Sequence, residues 1–345
     1  MEQKFSKSIF FAFILTIALY FSGLLIFLTP LPLVYIILRH GLVPYYATAL
    51  IALLLVAAVY LFGFEGLQNF LTKNDSWLLI FPLPFIELAK EFPHTVLRFW
   101  GVGYFVFFVL MSYAVAVVLT RPDKGLKLTI IFAIVLFLGV VVTNLIFISP
   151  QADVLITKLR ESLTQGLQQM IDLQEKSDDD IATVLYLKNS LAVLVDYTIF
   201  LMPAYLLSRI AIVLVLNIIL ARRFFGRFFP LITRLSFARF RMPFVAVWSM
   251  IFLVVAFLLN YKFTQLTLPH FLILNVFIVV AMAYFFQGFV VLDYVLDARK
   301  ARPFTRFFVY VSIYLLAPIM MTVLIALGFF DSWLDVRKLD HARTP

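Results

Sequence analysis

Long apolar runs separated by short polar interruptions dominate the chain. Eight stretches, near residues 9–28, 45–63, 97–119, 127–148, 191–220, 243–260, 269–296 and 304–328, stay apolar for about 18 residues or more, the length a helix needs to cross hydrocarbon roughly 30 Å thick. A shorter ninth covers 76–89. The pattern predicts an all-α fold, a polytopic transmembrane helical bundle with 8 to 9 spans. The one long polar stretch predicts three parts: an N-terminal transmembrane bundle at 1–149, extracytoplasmic amphipathic and polar helices at 150–190, and a C-terminal transmembrane bundle at 191–345. In the middle part Leu155, Leu159, Leu163, Leu167 and Ile171 recur every four residues, a helical stripe. Ser177 followed by Asp178, Asp179 and Asp180 predicts the cap of a second helix there.

Composition carries the same message. Hydrophobic residues make up 63% of the chain and charged ones 14%, leaving too little polar surface to coat a water-soluble globule, so the lipid bilayer is the first expected partner. Lys4 and Lys7 before the run from Ile9 look like the start of a signal peptide. The run is too long for one and no small-residue cleavage site closes it, which predicts a retained first helix.

The net charge of +9 is unevenly spread. Arg222, Arg223, Arg227, Arg234, Arg239 and Arg241 are joined by no acid between Ala221 and Met242, which predicts a cytoplasmic loop. Two spans later, Asp297–Arg306 has the same bias. Working backward, an N-terminus inside requires 76–89 to cross, giving nine spans. If 76–89 is re-entrant, the count is eight and the N-terminus lies outside. Phe224, Phe225, Phe228, Phe229, Phe237, Phe240 and Phe244 interleave with the arginines. Between spans this mixture fits lipid headgroups or a cytoplasmic protein partner better than nucleic acid.

Two interruptions mark candidate solute-binding positions. Thr29-Pro30-Leu31-Pro32 breaks the first run before Arg39; two prolines predict an extended bend, read either as an interfacial turn or as a pocket wall that includes Pro30, Pro32 and Arg39. In 191–220, Asp196 and Arg209 are ionisable groups in an apolar run, with Pro203 between them predicting a kink. Interfacial anchoring is the competing reading of that pair. Asn275 and Gln287 complete the candidate set, and Asn144, Asn217 and Asn275 are equally read as hydrogen-bonding neighbouring helices.

Enzyme chemistry finds no footing. There is no cysteine, the four histidines are scattered without metal-site spacing, and no phosphate-binding loop is present. No catalytic residue, metal or cofactor is expected. Gly101-x-Gly103 in an apolar run predicts close helix packing, and Asn74-Asp75-Ser76 matches a glycosylation acceptor pattern of low specificity.

At the C-terminal end Gln287-Gly288, Asp293 and the run Gly328-Phe329-Phe330-Asp331-Ser332-Trp333-Leu334-Asp335-Val336-Arg337-Lys338, with Pro30-Leu31-Pro32-Leu33 earlier, resemble the YybS-like family of uncharacterised bacterial membrane proteins. That family is distantly similar to the S components of energy-coupling-factor transporters. The resemblance implies a membrane protein that binds a small solute, with a partner ATPase supplying energy. S components carry an Ala-xxx-Ala face on the first helix, where this chain has Ala12-xxx-Thr16 and Ala18-xxx-Ser22. From residue chemistry alone, Asp331, Trp333, Asp335 and Arg337 form an interfacial motif, paired or solvated just beyond the last span.

Overall fold

A computed structural model describes residues 2–22, 25–62, 94–121, 124–148, 152–176, 181–230, 241–260, 267–302 and 317–334, with isolated positions at 262, 304–305, 308–309, 312 and 336–337. The 76–89 segment, Asn74-Asp75-Ser76, the Ser177–Asp180 cap, Arg234, Arg239 and Asp335 lie outside the described residues. Every regular element among the described residues is helical: α1 (Glu2–Phe21), a 3₁₀ turn (Ile26–Leu28), α2 (Pro30–His40), α3 (Leu42–Phe62), α4 (His94–Thr120), α5 (Gly125–Ile148), α6 (Ala152–Lys176), α7 (Ile181–Phe200), α8 (Met202–Phe225), α9 (Phe244–Leu259), α10 (Thr267–Ala298) and α11 (Ala317–Leu334).

Four helices in the described residues are long and apolar enough to cross a membrane: Leu42–Tyr60, Gly101–Thr120, Met202–Phe225 and Pro269–Leu296. Shorter apolar helices cover Lys7–Phe21, Ile26–His40, Lys127–Val142, Phe244–Leu259 and Ile319–Leu334. Two expected elements take another form. The 191–220 run is not one helix kinked at Pro203. It breaks at Leu201, and Pro203 falls in the first turn of α8, where a missing N–H costs nothing. The Thr29–Pro32 stretch is not extended either: a 3₁₀ turn leads into α2, which starts at Pro30. Pro30 and Pro32 both lie in a first helical turn, whose amide hydrogens have no intrahelical partner to lose.

By internal packing the chain falls into two compact units, Met1–Ile199 with Arg209–Leu235, and Phe200–Ser208 with Ser236–Pro345. In the first unit α2 packs on α1, α3 and α4. Its apolar face is its first half: Leu31, Leu33, Val34 and Ile36 are buried, and Leu33 and Ile36 share a cluster with Ala12, Tyr45 and Ala49. The direction of the chain follows from these contacts. Ser8 on α1 hydrogen-bonds His40 at the far end of α2 (3.2 Å), so α1 and α2 form a hairpin that returns to its own starting end. Gly41, with φ of 84°, then turns the chain into α3, a conformation that favours glycine. α3 runs beside α1 in the same direction: Tyr45 packs near Ala12 at one end, and at the other the Phe21 and Tyr60 rings stack 6.3 Å apart.

α4 returns antiparallel to α3. Tyr45 donates to the Val109 carbonyl (2.8 Å), and at the opposite end a methyl on Gly101 would land inside the Tyr60 ring. Gly101 is therefore a packing glycine, as its run suggested, whereas Gly103 has open space around it. In consequence Lys7, Arg39, Arg121 and Lys124, all exposed, share one end of the unit.

In the second unit α10 packs on α9 and α11. The α10–α11 crossing is close because it is glycine against backbone: a methyl on Gly288 would meet the Leu324 carbonyl, and one on Gly328 the Tyr284 carbonyl. α11 extends through Leu334 and so carries Asp331 and Ser332 as helical residues. After α10, Lys300 takes a left-handed conformation (φ 51°), and the Ala301 amide bonds back to the Leu296 carbonyl (2.9 Å), a helix stop of Schellman type.

Candidate functional site

Three carboxamide side chains serve three places where helical backbone stops. In lipid an unpaired peptide group has no water to turn to, so a neighbour must supply its partner. Asn, with two donors and an acceptor on one flat group, supplies more than any hydroxyl.

At the α7–α8 break, Asn275 on α10 accepts from the Ala204 amide (3.0 Å) and donates to the Phe200 carbonyl (2.8 Å) and to Phe271 in its own helix (2.8 Å). It bridges both broken ends and uses all its hydrogen-bonding groups. Phe200 and Phe271 stack beside it, with ring centroids 4.1 Å apart.

At the entry to α9, Gln287 accepts from the Met242 amide (2.7 Å) and donates to Asp331 Oδ2 (2.9 Å) and Ser332 Oγ (3.2 Å). Arg337 closes the cluster: its Nη2 lies 2.7 Å from Asp331 Oδ2 and its Nε 3.2 Å from the same oxygen. The side chains of both members of that pair are essentially inaccessible, at 0% and 1%. Arg241 donates to the Ser332 carbonyl (2.8 Å). Gln287, Asp331, Ser332 and Arg337 thus form one buried lock, which the half-buried Arg241 joins at its edge. Trp333 stands apart from it, half exposed.

At the 3₁₀ turn between α1 and α2, Asn217 on α8 donates to the Phe27 carbonyl and to Val213 in its own helix, both at 2.8 Å. Both neighbours are carbonyls, so the amide nitrogen must face them and the oxygen points away. That oxygen, Oδ1, is buried and has no partner. Ser208 also has a buried hydroxyl without a partner, but a hydroxyl rotates, whereas two hydrogen bonds pin the amide of Asn217. Thr29 turns its hydroxyl to the Ile26 carbonyl (2.6 Å) and is fully buried, as is Asn217. Ile26, Phe27 and Leu28 themselves are only half-buried, and Leu25 is exposed, so the turn opens on one side.

The depth of this turn follows from register. The Tyr35 ring sits 5.5 Å from that of Phe225, while Phe27 meets Asn217. Tyr35 and Phe225 each lie eight residues further along their chains, about 12 Å of helix. The irregular backbone therefore lies level with Asn217, about 12 Å along the helix from the Phe225 end of α8 and about 8 Å from Arg222.

The other sequence candidates are distributed around this frame. Pro30 and Pro32 are buried at the start of α2. Arg39 is exposed and lies over the Tyr35 ring, 5.5 Å from its centroid, while hydrogen-bonding the Tyr35 hydroxyl. Asp196 gives its carboxylate to Arg160 on α6 (2.5 Å), and Lys188 binds Glu175 (2.6 Å), so two ion pairs clamp α6 to α7. The Lys188 ammonium titrates above the ordinary lysine range because the Glu175 carboxylate accepts its hydrogen bond. Arg209 and Pro203 are exposed, Arg209 within electrostatic reach of Tyr104. Arg223 and Arg227 are exposed, as are Phe224 and Phe228, and Arg222 is half-buried. No group of three or more His, Cys, Asp or Glu residues suited to a metal ion occurs among the described residues.

Sequence reasoning did not single out Arg160 or the carbonyl of Phe27. Arg160 carried a signal, since it adjoins Leu159 and Leu163 on the apolar stripe of α6. A backbone carbonyl carries none.

The profile of the family described as "Predicted membrane protein (DUF2232)" matches residues 95–332. No curated protein and no solved structure matches. The matched stretch takes in Asn217, Asn275, Gln287 and Asp331 and ends at Ser332. It covers well over half of the chain, which belongs to this family of membrane proteins.

Proposed function

We propose that this integral membrane protein binds a small water-soluble solute, in the manner of an S component, at the turn between α1 and α2. The observation that carries the reading is irregular backbone brought against Asn217 at Phe27, about 12 Å along α8 from its Phe225 end; with that end at the membrane surface, the turn lies inside the hydrocarbon. Lipid does not tolerate such backbone, and where it persists it is buried in protein or lines a polar cavity. Discontinuous helices that meet partway through the bilayer are the usual material of transporter binding sites. Ile26, Phe27 and Leu28 are only half-buried, so one flank of the turn is left uncovered by its neighbours.

The same reading sets the topology. The end bearing Lys7, Arg39, Arg121, Lys124, Arg222 and Arg223 is the cytoplasmic face of a bacterial inner membrane. α2, with 11 residues, covers about 16 Å and is too short to cross. The first hairpin is then re-entrant, α3 is the first full crossing and α4 returns. An inside N-terminus follows from this without any crossing at 76–89.

A thermal-unfolding screen of the detergent-purified protein against water-soluble small molecules tests the proposal. At least one compound should raise the melting temperature of wild type and fail to do so in Asn217→Leu. If nothing protects wild type, or protection survives that substitution, the site is not at the turn.

A second reading, a non-transporting scaffold, draws support from the exposed Arg223, Phe224, Arg227 and Phe228. Reversing the charge of Arg222, Arg223 and Arg227 should then abolish co-purification of a cytoplasmic partner and leave solute protection alone.

A further inference from the structure

The chemistry around the α1–α2 turn is one-sided. The Asn217 Oδ1 is an acceptor with no donor, fully buried and fixed in direction by the two bonds its nitrogen makes. A continuous helix would also have offered the amide hydrogens of residues 30 and 32 to the carbonyls of Ile26 and Leu28. Both of those residues are proline and have none to give. Thr29 makes good the loss at Ile26 through its amide (3.0 Å) and its hydroxyl (2.6 Å). The Leu28 carbonyl receives nothing comparable from Pro32.

The same two prolines settle which sign of ligand suits the place. A helix start attracts anions through its free N–H groups, which carry most of the partial positive charge there. In the first turn of α2, two of the three leading residues, Pro30 and Pro32, lack that group. An anion would find acceptors where it needs donors. The opposite case, carbonyl oxygens of interrupted helices that receive a cation, is a recurrent arrangement in membrane transporters.

Resting on the proposal that a solute binds at this turn, we infer that the group received there is the protonated amine of a small solute, with an N–H hydrogen directed at Asn217 Oδ1. A carboxylate or phosphate end is disfavoured by the same arrangement, and a quaternary ammonium, which has charge but no N–H, binds poorly.

The test is thermal unfolding of the full chain in a neutral detergent with four probes at equal ionic strength: ethylammonium, tetramethylammonium, acetate and inorganic phosphate. Ethylammonium should raise the melting temperature of wild type by about 2 °C or more at saturation, with no comparable shift from the other three. The shift should vanish in Asn217→Leu. Because that variant also loses the bond to Phe27, the probe comparison within wild type stands as the second, fold-independent readout. Equal protection by tetramethylammonium, protection by acetate or phosphate that depends on Asn217, or no protection by ethylammonium would each overturn the inference. In the last case water alone serves the unpaired oxygen. The broader reading fails separately: it falls when no compound in the solute screen protects, and it survives if a compound without an amine protects through Asn217.

Discussion

Gln287 and Asn217 perform the same task in different company. Each extends a carboxamide from one helix to backbone that has left helical geometry, Gln287 to the Met242 amide and Asn217 to the Phe27 carbonyl. Around Gln287 every group of the carboxamide is answered, by Met242, Asp331 and Ser332, and Arg337 neutralises the acid. Around Asn217 the oxygen is left over. A closed network fixes one arrangement and resists change, because a buried polar group deprived of its partner has nowhere to turn. An open one holds an acceptor in a fixed direction with no donor against it. The comparison separates a structural lock from a candidate binding position, although both are made of the residue type that membrane helices use for adhesion.

Opening the lock should have the largest effect. Replacing Arg337 with Met leaves the Asp331 carboxylate buried without its cation, at a cost of about 3–5 kcal/mol. Thermal unfolding in detergent should show little folded protein, and Asp331→Leu in the same chain should recover much of the loss, since an apolar pair of similar volume is often neutral. Next in size is the glycine crossing: Gly328→Ala drives a methyl into the Tyr284 carbonyl, an overpacking expected to cost about 1–3 kcal/mol and read as a lower melting temperature.

A paired substitution sharpens the contrast between the carboxamides. Asn275→Leu strands the Phe200 carbonyl and the Ala204 amide, at about 1–3 kcal/mol for each group that stays dry. Asn217→Leu strands only the Phe27 carbonyl and removes an unpaired oxygen at the same time. The Asn275 variant should therefore melt lower, and equal losses would mean that the oxygen of Asn217 is already served in solution. The smallest effect belongs to the α6–α7 clamp. Arg160→Ala should cost about 0–1 kcal/mol, as the Arg160–Asp196 pair is 40% exposed or more on each side. Lys188 there has a raised pKa in the fold, so its contribution is complete below the unfolded-lysine range and disappears as pH rises through the folded value. A stability profile flat from neutral pH upward past that range would contradict the clamp.

The sequence disclosed different things about the two regions. Apolar run length announced the helical membrane fold, and Pro30-Leu31-Pro32 announced a break. It did not disclose that the break is a 3₁₀ turn feeding a buried helix, because proline disfavours a helix interior but suits its first turn, and local sequence does not say which applies. The 191–220 run misled for a related reason: its apolar residues continue through Leu201 while the helix does not. Asn275, reached only after two further helices, bridges the gap. Asp331 and Arg337 were visible as a motif, paired or solvated beyond the last span, but nothing local marked the pair as buried. Their burial depends on α10, α11 and the Arg241–Met242 strand of backbone coming together at Gly288 and Gly328. Partners set by tertiary packing leave no periodic trace.

A binding position at the α1–α2 turn requires the first hairpin to return to the side from which it starts. The chain contains no cysteine, so Lys7→Cys and Val43→Cys, both at exposed positions, can be labelled singly with a membrane-impermeant maleimide in sealed cells and in opened ones. Both should stay unlabelled in sealed cells and react together once the cytoplasmic face is exposed. Reaction of one in sealed cells and of the other only after opening would place α1 and the start of α3 on opposite faces, and the re-entrant turn with its binding position would be gone.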